Sequence, residues 1–378
     1  MQGVGCCWVM DVQISTSGHD DNYNITGATN SMIRILDKTN AMPHLFELSE
    51  LFEKCEDTAD VEIWPALGIN SFINTKSDVF TIFIDTECDL HSATVEYQQN
   101  HKLRPNNIFA VTAFNMQHQW PFPVINFLSH IYFTFRTNKT LTTLDAGKKP
   151  YDGCVLLGGW DYGRAMLFDR LHHHGLIDRC LINLQPRKHT YPCNFPRHYY
   201  RSLHLDTLDD TTFTKLVYSD AGWFSMIIHT DSIYSYISQQ IPYRIVNSCY
   251  ISIVSETEFF PDQDSTIFLT EKIAKPLIAG HPFLVYGAVG FLQYLQDVGF
   301  KTFSNWIDES YDTLSGNARA TAIVDSFKNF SLQSQETKLE MLNQMQEVCL
   351  HNQRLATDPK FLLSPVVNTI LNLKQFLV

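Results

Sequence analysis

The chain has 378 residues, of which 44% are hydrophobic and 13% aromatic. This composition is typical of a protein with packed cores and excludes an intrinsically disordered chain. With 28 basic and 40 acidic residues the net charge is −12, which argues against sequence-independent binding to nucleic acid, because such binding depends on Lys and Arg neutralising phosphates.

The same sequence argues against export and against membrane insertion. Residues 1–15 have no basic start and no long apolar core, so no secretory signal is expected. No apolar run approaches the ~20 residues that a membrane span requires. The nine cysteines include no CxxC pair, and an odd number of thiols fits a reducing compartment. We therefore expect a cytoplasmic protein with no membrane partner.

Apolar runs and helical patterns alternate along the first part of the chain. Strands are predicted at 4–15, 61–64, 79–84, 109–114 and 131–135, and helices at 30–38 and 45–55. The run 79–84 lies between two aspartates and is typical of a buried parallel strand. This alternation predicts an α/β domain over residues 1–145.

A polar segment containing Lys, Gly and Pro, residues 137–153, then interrupts the pattern and is expected to separate two domains. A second α/β domain is predicted over residues 150–330, followed by a helical tail over 331–378. The strands of this second domain are predicted at 154–157, 180–184, 213–218, 224–229, 250–254 and 283–286, and its helices at 163–174, from 270, and up to 299. The tail would brace the N-terminal domain or form a dimer face.

The segment 249–300 is the most informative part of the chain. It predicts a strand that ends at Glu256 and a helix that starts with Thr270, Glu271 and Lys272. A lysine in the first turn opposes the helix dipole, whose positive end lies there. A bound anion would resolve this conflict, because free backbone N–H groups and the ammonium would both contact it. A phosphate group is the expected anion.

A second candidate binding corner follows the predicted strand 154–157. Residues 158–161 form a turn that contains Gly159, and Arg164 follows in the first turn of the next helix. Open α/β sheets bind ligands at such strand-to-helix corners. We expect Arg164 and Gly159 to belong to the ligand site, although a solvated arginine is the ordinary alternative.

Two segments resemble the α-1,3-fucosyltransferases and their relatives. Residues 163–178, GRAMLFDRLHHHGLID, are similar to an arginine-containing helix of that family. Residues 255–287 are similar to its signature, in which a strand end is followed by TEK and then by an AGxPxxxG pattern. Residues 299–312, GFKTFSNWIDESYD, are similar to a stretch in uncharacterised viral and phage members, which would place the protein in a host cytoplasm. The resemblance covers residues 150–300, and it covers the N-terminal domain only by architecture.

This resemblance implies a GT-B fold, in which two Rossmann-like domains face a cleft and the C-terminal domain binds a nucleotide sugar. It implies a metal-independent transferase that inverts the anomeric carbon, and a GDP-linked donor with no further cofactor. Arg164 and Lys272 would bind the donor diphosphate, and Glu271 would bind the ribose hydroxyls. Glu256 closes the strand beside that site.

Two departures from the family pattern leave the donor base open. Thr257 stands where the family usually has Asn, and residues 258–264 form an unusual acidic insert. Within it, Asp262 and Asp264 match the DxD pattern by which other transferases bind manganese, but three-residue matches are common by chance. The histidines 172–174 are not expected to bind zinc, because consecutive helical residues point about 100° apart. We therefore predict no metal site.

An inverting transfer also needs a general base that takes the acceptor's hydroxyl proton. The run DTECD follows the predicted strand 79–84, at an edge where a parallel sheet would present it to a cleft. Glu87 is the first candidate there, together with Asp85. Other candidates are Asp89, Asp20, Asp21 and His19.

The leading hypothesis is a glycosyltransferase that moves fucose or a related sugar from a GDP-type donor onto a glycan hydroxyl. One alternative is a glycosyltransferase that modifies hydroxymethylated DNA bases, which the charge of −12 disfavours. The other is a non-catalytic scaffold that binds a nucleotide.

Overall fold

The computed structural model describes residues 32–37, 42–56, 59–65, 80–85, 108–112, 114–115, 124–138, 147–159, 162–185, 240–256 and 267–373. The predicted strands at 4–15, 213–218 and 224–229 lie outside these residues. The chain divides into two compact units: unit 1 comprises residues 1–129 and 359–378, and unit 2 comprises residues 130–358. The predicted tail 331–378 is thus divided between the two units.

The described strands are β1 Ile33–Asp37, β2 Phe52–Lys54, β3 Val61–Pro65, β4 Phe80–Asp85, β5 Ile108–Thr112, β6 Phe114–Asn115, β7 Val124–Asn126, β8 Tyr151–Gly159, β9 Cys180–Gln185, β10 Cys249–Ser255, β11 Ile267–Phe268 and β12 Phe283–Tyr286. The described α-helices are α1 Ser129–Thr137, α2 Tyr162–His173, α3 Tyr243–Asn247, α4 Glu271–Ala279, α5 Phe291–Asp297, α6 Gly316–Ser331, α7 Gln335–Ala356 and α8 Pro359–Leu373. The protein is therefore a mixed α/β structure, as the sequence predicts.

Unit 1 is built on a six-stranded sheet with the order β2-β1-β3-β4-β5-β7, in which each neighbouring pair is parallel. The C-terminal helix α8 belongs to this unit and contacts β7 and the 3₁₀ turn Pro43–Glu47. A parallel sheet needs cover on its faces, and α8 supplies part of it through its buried Leu362, Leu363 and Val366.

Three of the predicted elements in the first 140 residues are wrong. The predicted helix 30–38 contains strand β1, whose backbone pairs with strands on both sides. The predicted helix 45–55 is a 3₁₀ turn followed by β2. The predicted strand 131–135 lies in helix α1, although its aromatic residues and Thr favour strands. In each case tertiary packing overrides the local preference.

Unit 2 contains a four-stranded parallel sheet with the order β12-β10-β8-β9. All seven residues of β10 are buried, which explains why its apolar residues do not alternate with exposed polar ones. Helices lie on both faces of the sheet. Gly153 of β8 lies against Phe327 of α6, whereas the adjacent Cys154 points to the opposite face and shares a cavity with α4.

The strand order changes direction in the middle of this sheet, between β8 and β10, and we call this place the reversal point. Strand β8 leads through α2 to β9 on one side, and β10 leads through α4 to β12 on the other side. The carboxyl ends of β8 and β10 are Gly159 and Ser255. Ligands of open α/β sheets bind outside such a reversal point, so the candidate site lies at these two strand ends.

Candidate functional site

A buried carboxylate, Glu256, follows β10 at the reversal point and is 2% exposed. It accepts a hydrogen bond from the hydroxyl of Thr270 and another from the backbone N–H of Ile273, at 3.2 Å. Thr270 is the N-cap of α4, and its Oγ1 accepts from the N–H of Lys272 at 3.2 Å. Glu256 is therefore fixed to the first turn of the helix.

The first turn of α4 differs from the sequence-based expectation in one respect. Free N–H groups were expected in the first turn of α4, but those of Lys272 and Ile273 are bonded within the protein. Glu256 itself supplies the negative charge that the helix dipole favours at this position. An external anion would therefore depend on side-chain cations more than on the backbone.

The neighbouring ion pair supplies the charges that face such a ligand. Lys272 donates to Glu271 with Nζ 2.7 Å from Oε1, and both side chains are mostly buried. His130, from α1, lies with Nδ1 4.0 Å from Oε2 of Glu271, and its ring stands edge-on to Phe268 at 5.2 Å. Lys275, one helical turn after Lys272, is half-buried and lines a cavity between α4 and the sheet.

Burial and neighbouring charges set the protonation of this cluster. Burial raises the pKa of Glu256 to about 7, so this group is about half ionised at neutral pH. Burial alone would also raise the pKa of Glu271, but Lys272, Lys275 and His130 hold it below its ordinary value. Burial lowers the pKa of Lys275 to about 8, which leaves it mostly charged at neutral pH. When Glu256 is protonated, the two lysines face a single charged carboxylate, and in that state the cluster favours anions.

The structure brings four of the predicted site residues into direct contact, namely Glu256, Thr270, Glu271 and Lys272. Two others lie at the end of the neighbouring strand. Gly159 is the last residue of β8, and Arg164 is buried in the first turn of α2. Asp85 is the last residue of β4 in unit 1. Glu87 and the other base candidates lie outside the described residues.

Two residues of the cluster were missed by the sequence argument. Lys275 has a usable signal, because residues three apart in a helix share a face and Lys272 is itself a predicted site residue. His130 has no such signal, since it lies 141 positions before Glu271 in a helix whose sequence suggested a strand. Among the described residues, no group of three His, Cys, Asp or Glu side chains is arranged to hold a metal ion.

The stretch 299–312, which contributed to the resemblance, has a structural role in this protein. The carboxylate of Asp312 accepts from the N–H groups of Leu292 and Gln293 at 3.0–3.1 Å and so caps α5. The fully buried Arg319 donates to Asp312 at 3.0 Å. This cap fixes the start of α5. The turn before α5 contains Gly287, which lies next to the buried carboxylate, since a Cβ added to Gly287 would be 3.5 Å from Cγ of Glu256.

Comparison with known proteins does not extend the resemblance. No protein-family model matches the chain, and no curated protein matches it.

Within the part of the chain that the structure describes, no helix is both long enough and apolar enough to cross a bilayer.

Proposed function

We propose that the chain is a glycosyltransferase that binds a nucleotide sugar at the carboxyl edge of the unit 2 sheet. The observation that carries this proposal is the Glu271–Lys272 pair at the start of α4, beside the reversal between β8 and β10. The position supports a ligand site because connections diverge there and leave a crevice. A carboxylate beside an ammonium suits a ligand that has both hydroxyl and phosphate groups.

The chemistry of each side chain supports a separate role. Glu271 is ionised at neutral pH because its pKa is held low, and its carboxylate can accept hydrogen bonds from two ribose hydroxyls. An ammonium has three N–H donors, so Lys272 can serve a carboxylate and a phosphate together. Arg164 adds a cation that binds phosphate oxygens in a fork. As the sugar–phosphate bond breaks, these cations stabilise the charge that develops on the diphosphate.

The reaction that follows is an inverting displacement in a GT-B arrangement, without a metal ion. A hydroxyl oxygen of a glycan acceptor forms a bond to the anomeric carbon while the bond from that carbon to the diphosphate breaks. A carboxylate takes the hydroxyl proton, and Asp85 and Glu87 are the candidates for this base. We propose a GDP-linked donor of fucose or a related sugar, on the strength of the resemblance at residues 150–300.

Thermal unfolding in the presence of GDP, UDP and CMP and of their sugar conjugates tests the donor site. A ligand at 100 times its Kd stabilises the folded state by about 2.7 kcal/mol, which is readily seen in the unfolding midpoint. We expect Glu271→Gln and Lys272→Met to abolish most of this stabilisation. The matched controls are Glu340→Gln and Lys301→Met, which change exposed residues of the same unit.

The outcomes separate the proposal from its alternatives. If both site variants are stabilised as strongly as the wild type, the donor site is wrongly assigned. Donor binding without hydrolysis or sugar transfer favours the nucleotide-binding scaffold. Transfer to hydroxymethylated duplex DNA, but not to glycans, favours the DNA-modifying enzyme.

A further inference from the structure

A buried chain of three polar side chains runs across the unit 2 sheet and has no part in the proposed donor site. Sγ of Cys154 in β8 lies 3.3 Å from Oγ of Ser252, its partner in the neighbouring strand β10. The same Oγ lies 2.9 Å from Nδ1 of His281, and Nε2 of His281 lies 3.0 Å from the carbonyl oxygen of Cys249. All three side chains belong to buried residues.

The backbone carbonyl fixes the direction of every hydrogen bond in this chain. A carbonyl oxygen can only accept, so Nε2 of His281 carries the ring proton. Burial lowers the pKa of His281 to about 4, so the ring is neutral at pH 7 and Nδ1 is left as an acceptor. Nδ1 therefore accepts from the hydroxyl of Ser252, whose oxygen accepts from the thiol of Cys154. A proton can thus pass from sulfur through the hydroxyl to the imidazole, an arrangement that activates nucleophiles.

The sulfur end of this relay opens onto a small cavity. Cys154 and Ser252 line a space of about 30 Å³ together with Lys272, Lys275 and Pro276 of α4. A water molecule needs about 10–15 Å³ of such space, so the cavity has room for about two oxygen-sized atoms. Lys275 is only half-buried, which gives a small molecule a path from the surface along its side chain. The cavity therefore admits a very small polar reagent and excludes a sugar or a phosphate.

We propose that Cys154 is a modification site at which hydrogen peroxide oxidises the thiol to a sulfenic acid. Hydrogen peroxide consists of two oxygen atoms that both form hydrogen bonds, so it fits the cavity in size and in polarity. Sulfur attacks one oxygen, an S–O bond forms, and the O–O bond breaks. The thiol proton passes through Ser252 to His281 as sulfur attacks, and then returns to the departing hydroxide, which leaves as water. Sulfur is oxidised and the peroxide is reduced, and neither step depends on a nucleotide sugar.

The chain contains its own comparison thiols. Cys180 and Cys349 are also buried, but neither thiol is linked to a histidine among the residues that the structure describes. Burial raises the pKa of both thiols, and the protonated thiol is the unreactive form. Hydrogen peroxide should therefore oxidise Cys154 faster than Cys180 or Cys349.

Peptide mapping of the full chain measures the oxidation of each cysteine separately. The reduced protein is treated with hydrogen peroxide, the peroxide is removed with catalase, and the chain is unfolded in dimedone, which labels sulfenic acids. We expect label on Cys154 well before Cys180 and Cys349. Ser252→Ala breaks the relay and should slow the oxidation of Cys154 about a hundredfold, a usual contribution of a positioned proton acceptor. Ser252→Thr keeps a hydroxyl at this position and should retain most of the rate.

A loosened fold gives a different pattern from a broken relay. If Ser252→Ala destabilises the protein, Cys154, Cys180 and Cys349 all become more reactive together, because local opening exposes buried groups. In that event the wild type decides, since the bulkier tert-butyl hydroperoxide exceeds the cavity and should oxidise Cys154 much more slowly than hydrogen peroxide does. The proposal is overturned if Cys154 reacts no faster than the other two thiols, if Ser252→Ala keeps the wild-type rate, or if the bulkier peroxide reacts equally fast.

Discussion

The buried carboxyl group of Glu256 predicts an unusual dependence of stability on pH. In the folded protein burial raises its pKa to about 7, against 4.5 in an unfolded chain. The folded state therefore keeps a proton that the unfolded chain releases between these two values. The resulting stabilisation is fully present below pH 4.5 and is lost as the pH rises through 7. A pKa difference of about 2.5 corresponds to about 3 kcal/mol.

Glu256→Gln removes this titration while keeping the shape of the side chain. We expect the free energy of unfolding of the variant, minus that of the wild type, to rise by about 3 kcal/mol from pH 4.5 to 7.5. Urea denaturation followed by circular dichroism at several pH values measures this difference. Glu340→Gln, at an exposed position, is the matched control and should show no such change.

The difference between variant and wild type must be used because another buried group titrates in the same range. Burial lowers the pKa of His281 to about 4, so its contribution to stability increases as the pH rises from 4 towards 6.5. This opposes the effect of Glu256 in the wild-type curve but cancels in the difference. Burial lowers the pKa of Lys275 to about 8, so this group begins to titrate only at the upper end of the range. A difference that does not change with pH would refute the reasoning about Glu256.

Two further predictions concern the packing that holds the site. Asp312→Ala leaves the fully buried Arg319 without its carboxylate and uncaps α5, so we expect a loss of about 3–5 kcal/mol in urea denaturation, against little change for the exposed Asp297→Ala. Gly153→Ala places a Cβ 2.9 Å from the ring of Phe327 and should cost about 1–3 kcal/mol. The same change should cost less in the Phe327→Leu background, and an equal cost in a double-mutant cycle would contradict this contact.

Much of the second unit could be predicted from the sequence because its strands are buried on both faces. Strands β10 and β12 are fully buried and mostly apolar, and their limits differ from the predicted ones by one residue or less. Helix α2 was predicted within one residue at each end, and Gly175 follows it with φ of +67°, a conformation that glycine adopts easily. For β1 in unit 1, and for α1, nearly all of which lies in unit 2, the local preferences conflict with the packing, and there the prediction fails.

The candidate site was only partly predictable, for a different reason. Thr270 as the cap of α4 follows from local sequence, because capping depends on residues within one turn. The contact between Glu256 and this turn depends on β10 ending beside α4, because Glu256 and Thr270 are 14 positions apart in the chain. Such a contact is a property of the sheet order and has no local signature. The sequence therefore predicts Lys272, the cap and a place for Glu256 beside the site, but neither the hydrogen bonds that tie Glu256 to the helix nor the part of Lys275.

That internal carboxylate changes the physical basis of anion binding at this site. A helix N-terminus with free N–H groups binds phosphate through its backbone, largely independently of pH. Here the carboxylate of Glu256 already accepts from the N–H of Ile273. The attraction for an anion therefore depends on Lys272 and Lys275 and on how far Glu256 is protonated. Because the pKa of Glu256 lies near 7 and that of Lys275 near 8, the net positive charge of the cluster decreases as the pH rises through the neutral range. A diphosphate should therefore bind more tightly at pH 6 than at pH 8, even though the negative charge of a free terminal phosphate increases over this range.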